Sequence, residues 1–144
     1  MARRLGGIAA VAVGAVFGAL TDAAIRSRWP NSQVPVSAAI LVAAAAIYPL
    51  GRRGRAGPPG GPRREWVALG MTAGVFVAAR NLSDQISVPL TAAGWVGHAV
   101  FDRVHDRGEA SLLPGWYPAA CAGYDLGMAA MLCRTALYRR ISDR

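Results

Sequence analysis

The 144-residue chain contains no lysine; its sixteen basic residues are all arginine. It has only two cysteines, two histidines and eight acidic residues. Two histidines are few for a closed redox metal centre, and no P-loop, other nucleotide motif or haem signature is present. No large cofactor is therefore expected, and none is required by the chemistry considered below. Cys121 and Cys133 are twelve residues apart on one apolar segment. A helix would hold them roughly 18 Å apart, too far for a disulfide, so both read as inert buried thiols. The arginines do not line one face of a soluble helix. They flank apolar stretches, so the net charge of +8 points to anionic lipid and the positive-inside rule and away from nucleic acid.

Hydrophobic residues make up 53% of the chain, and they fall in long runs rich in Ala, Val, Gly and Leu. About twenty apolar residues of helix cross a hydrocarbon core of ~30 Å. The expected fold class is all-α, a polytopic transmembrane helical bundle of about five spans in one domain. The spans lie near 5–25, 34–50, 66–80, 86–101 and 115–138. The first is too long for the apolar core of a cleaved signal peptide. Residues 51–64, rich in Arg, Gly and Pro, are expected to form a cytoplasmic loop, and Asp102 to Pro114 a second polar loop. Four spans result if residues 66–101 are not two crossings, for Arg80 and Asp84 at i,i+4 could pair on one continuous helix. Trp66 and Trp116 fit an inner aromatic belt, Trp29 and Tyr138 an outer one. A multi-pass protein of the cell inner membrane is the expected setting. Three pairs have GxxxG spacing: Gly14 and Gly18, Gly70 and Gly74, Gly123 and Gly127. They suit close helix packing inside the chain or a seam in a homo-oligomer.

Ionisable residues within apolar spans are costly and mark sites of function. Asp125 sits near the middle of the last span and must be neutral, paired, hydrated or bound to a cation. It could serve as a general acid, or simply donate an interhelical hydrogen bond. His98, Asp102 and His105 fall at i, i+4 and i+7 on one helical stripe, with Asp106 close by. The stripe suits a proton relay or a divalent metal held by His98, Asp102 and His105, with Asp125 as a further ligand. The catalytic candidates are thus Asp125, His98 and Asp102. Trp95 and Tyr124 are candidate substrate contacts, Trp95 through its π face. Asp22, Arg80, Asn81 and Asp84 are further candidate substrate contacts, with Arg80 and Asp84 moving inward if the third span extends further; Asp22 and Arg80 could instead form a lateral ion pair.

The stretch Gly94-Trp95, His98, Asp102, His105, then Trp116-Tyr117, Cys121 and Tyr124-Asp125 resembles a recurring pattern in small uncharacterised bacterial integral membrane proteins. It covers roughly the last third of the chain and implies no particular activity. In architecture alone, the chain also resembles the membrane-embedded terpene and carotenoid cyclases. Those enzymes set acidic residues between apolar helices and protonate an isoprenoid alkene or epoxide. The resemblance implies a lipophilic substrate entering from membrane lipid, cyclised or isomerised by acid–base chemistry. A metal enzyme acting on a diphosphate near Arg103 and Arg107, a proton-coupled transporter or channel subunit, and a structural or assembly subunit are the other classes the same residues allow.

Overall fold

The computed structural model describes residues 2–51, 61–105 and 114–142. Among them every regular element is helical: α1 (Ala2–Arg28), a 3₁₀ turn (Pro30–Ser32), α2 (Gln33–Gly51), α3 (Gly61–Asn81), α4 (Asp84–His105) and α5 (Tyr117–Ser142). The all-α expectation is met. Helix α3 starts at Gly61, inside the stretch expected to be loop, because Pro62 has the fixed φ and missing N–H that suit a first helical turn. Helix α4 likewise runs on through Asp102 to His105, which had been read as the start of a loop. Leu82 and Ser83 break α3 from α4, so the single continuous helix considered above does not form.

Helix α1 packs most extensively on α5, then α5 on α4, α2 on α3 and α3 on α4. The first seam explains two of the three glycine pairs. A Cβ at Gly14 would strike the Ala120 carbonyl oxygen and lie 2.8 Å from the Tyr124 nitrogen. One at Gly18 would strike the Tyr124 carbonyl oxygen. Reciprocally, Gly123 abuts the Val11 carbonyl and Gly127 the Ala15 carbonyl. Residue numbers rise together on both partners, so α1 and α5 run parallel, backbone against backbone, as small residues four apart permit. Gly70 and Gly74 have nothing within 4 Å of a Cβ and face outward.

An apolar core gathers Leu41, Val88, Trp95, Met128 and Leu132, yet large apolar side chains also cover the outside while several polar and charged groups are enclosed. Ile8, Phe17, Met71, Val77, Val100 and Ile141 are exposed, Met71 to 70%. Asp22, Ser37, Glu65, Thr91, Asp102 and Asp125 are each 1% exposed or less. The four belt aromatics Trp29, Trp66, Trp116 and Tyr138 are all exposed. Two stretches, Gly7–Arg28 and Pro30–Gly51, are long and apolar enough to cross a membrane. Among the described residues the other three helices fall short of that measure, because Arg64, Glu65, Arg80, Asp84, His98, Asp102, Asp125 and Arg134 dilute their apolar runs. The two cysteines are free, as expected, but Cys133 is exposed and only Cys121 is partly buried.

Candidate functional site

Helix α4 buries one stripe: Ser87, Thr91, Trp95, His98 and Asp102, at steps of three and four. Its chemistry lies at the lower end, where α5 delivers Asp125 across from His98. The His98 Nδ1 is 2.8 Å from Asp125 Oδ2 and 3.8 Å from Asp102 Oδ2. One ligand atom from each of the three residues lies within 4.8 Å of the others. The helices supply the geometry in different ways. His98 and Asp102 are one turn apart on α4, while Asp125 projects from the face of α5 roughly opposite Gly123 and Gly127, where α1 holds it in place.

The cluster floors a cleft of about 280 Å³. Its walls are Ile40, Ala43, Ala44, Ile47 and Tyr48 of α2 and Tyr117, Cys121 and Tyr124 of α5. Helices α2 and α5 are scarcely in contact, so the cleft lies in the gap between them with α4 behind. Apart from the three titratable groups, its polar atoms come from tyrosines and one thiol. Tyr117 is hydrogen-bonded to Cys121 and Tyr124 to Thr21.

Several expected members stand elsewhere. His105 is not a ligand of the cluster. Its Nε2 is 2.8 Å from Glu65 Oε1, and its ring stacks on Phe101 at 4.4 Å and meets Tyr48 edge-on. The i+7 position shares the stripe, but the buried Glu65 of α3 draws the imidazole to its own side, and Asp125 takes the third place. Glu65 was missed because it follows Arg63 and Arg64 and looks like part of a charged membrane edge. Trp95 is wholly buried and does not line the cleft; its Nε1 donates to Ser37 Oγ at 2.9 Å and its ring meets Tyr124 edge-on. Tyr124 does line it. Asp22 pairs with Arg26 at 2.8 Å and accepts from Gln33 Nε2 at 2.8 Å, so it forms no bond with Arg80. Arg80, Asn81 and Asp84 are exposed at the α3–α4 break. Arg80 lies over the Phe76 ring and Asn81 donates to the Val77 carbonyl. Asp106 and Arg107 lie outside the described residues.

No protein-family model, curated protein or solved structure matches this chain. Function is therefore to be read from the chemistry of the site itself.

Proposed function

We propose that the chain is a small integral membrane enzyme of five spans that performs acid–base chemistry on a lipophilic, isoprenoid-like substrate held between α2 and α5. The observation carrying this is a buried His98–Asp102–Asp125 cluster at the floor of an otherwise apolar cleft. The many exposed large apolar side chains and the enclosed carboxylates support the membrane setting, and a lateral gap gives a lipid-borne molecule access without crossing water.

Charge neutrality sets the working state. Two carboxylates and an imidazole are neutral together when they share two titratable protons, and a net charge in an apolar site is costly. An imidazolium at His98 facing the Asp125 carboxylate accounts for one of these protons, and a protonated Asp102 for the other. Asp102 then delivers its proton to an alkene carbon. The π pair forms the new C–H bond, the O–H pair stays on the carboxylate, and a carbocation results. Attack by a second alkene closes a ring, or an adjacent C–H loses its proton. Either way the final deprotonation returns a proton to Asp102, so the cycle needs no oxidant or reductant. The faces of Tyr48, Tyr117 and Tyr124 shield the cation.

The test is deuterium incorporation. Protein in lipid vesicles made up in D2O is incubated with a linear polyprenyl hydrocarbon. Mass spectrometry should find deuterium in the recovered lipid with wild type and not with Asp102→Asn. Incorporation no greater than in empty vesicles would sink the proposal.

One observation favours a second reading. A divalent cation bound by His98 and the two carboxylates would neutralise the cluster as two protons do, and the donor set suits a borderline metal. A stoichiometric metal in the purified protein, lost in His98→Ala, would decide for it.

A further inference from the structure

His98 lines two cavities. Besides the α2/α5 cleft, it borders a cleft of about 330 Å³ between α3 and α4, with Thr72, Val75, Gly94, Gly97 and Phe101. The two ring nitrogens of an imidazole point in nearly opposite directions. Nδ1 faces Asp125 on α5, so Nε2 points away from α5, and the residue borders the α3/α4 cleft. Among the described residues this Nε2 is buried and has no hydrogen-bond partner, and the His98 side chain is 4% exposed. The other polar wall group, the Thr72 hydroxyl, already donates to the Leu69 carbonyl at 2.9 Å. Leaving a buried polar atom unsatisfied is costly, so the site favours an occupant that bonds it.

We infer that the α3/α4 cleft is a second binding site, for a long-chain lipophilic alcohol whose hydroxyl bonds His98 Nε2. Two features select this class. With His98 protonated, Nε2 donates and needs an acceptor; with His98 neutral and Nδ1–H facing Asp125, Nε2 accepts and needs a donor. A hydroxyl does either, whereas a ketone only accepts and an ammonium group only donates, so each serves one state. The walls are otherwise apolar, and a Cβ at Gly97 would meet nothing within 4 Å, which leaves room for an alkyl or prenyl chain. The exposed Val67, Met71 and Val100 stand on the helices that form this cleft and put it within reach of lipid. The inference rests on the membrane placement proposed above. It gives His98 a further role: its ring is the partition between two lipophile sites, so a hydroxyl on one side is bonded to the imidazole that holds Asp125 on the other.

The experiment uses the full chain in phosphatidylethanolamine–phosphatidylglycerol vesicles and a long-chain primary alcohol carrying a mid-chain diazirine. After irradiation, labelled peptides are mapped by mass spectrometry. Label is expected on α3 and α4 around Val75 and Gly97. The unlabelled alcohol should compete with it and the alkane of equal length should not. Gly97→Leu, which fills the cleft, should abolish this label, and His98→Phe should weaken binding about tenfold, the ratio one such hydrogen bond supplies. Equal competition by the alkane, or label unchanged in Gly97→Leu, would overturn the inference. The wild-type competition decides the matter even if a variant does not fold. Label confined to Ala44 and Cys121 would overturn this second site and leave the α2/α5 cleft standing. Label confined to the α3/α4 cleft would uphold it and count against the first.

Discussion

The α1–α5 seam and the α2/α4/α5 cleft both bury a carboxylate, and they treat it differently. Asp22, on the buried α1 stripe with Gly14 and Gly18, is fully enclosed and satisfied by Arg26 and Gln33. Asp125, on the other face of α5, shares one imidazole with Asp102 and borders an open volume. Burial of a charge therefore does not by itself mark a site. What separates the two is the open cleft beside Asp125. The seam is packed so closely that its glycines touch backbone, and it serves as the fixed wall from which Asp125 projects.

The comparison can be broken most sharply at the seam. Gly123→Ala puts a methyl group against the Val11 carbonyl, and backbone cannot turn aside as a side chain does. A loss of about 3 kcal/mol is expected in thermal or denaturant unfolding of the detergent-solubilised protein. Gly70→Ala on the outward pair serves as the control and should leave the midpoint unchanged or raise it, since Ala suits a helix better than Gly. Next comes Asp22→Ala, which strands Arg26 and Gln33. Because the Arg26 side chain is 38% exposed, water screens part of the pair, and the expected cost is about 2 kcal/mol. An unaltered midpoint would mean that Asp22 is not structural. Smallest in stability is Asp125→Asn, whose amide can still hydrogen-bond His98. It should change the unfolding free energy by less than about 1 kcal/mol while deuterium incorporation is lost. A variant that unfolds instead would make Asp125 a packing residue like Asp22.

Much of this arrangement could be read from the sequence where the signal is local. Apolar runs separated by Arg, Pro and Gly set out five helices, and the i,i+4 spacing of His98 and Asp102 put them on one face. Asp125 stood out by its depth in the last apolar run. What sequence could not supply was partner choice across helices. Nothing local distinguishes His105, which turns to Glu65 forty residues away, from His98, which turns to Asp125. Asp22 was given Arg80 as a partner on charge alone, although Arg26 on the next turn and Gln33 beyond the 3₁₀ turn were nearer. The three GxxxG pairs look identical in sequence, yet only two of them meet a partner, and they meet each other.

That reciprocal seam also bears on biosynthesis. The ribosome makes α1 before α5, so the most extensive contact among the described helices joins two segments made far apart in time. Until α5 emerges, the glycine face of α1 has no mate, and His98 and Asp102 lack their third companion. Local pairings such as α2 with α3 can form early, whereas this one carries the full loop-closure delay of the chain. Closure of the bundle and completion of the cluster therefore coincide, and a chain that ends before α5 can have neither.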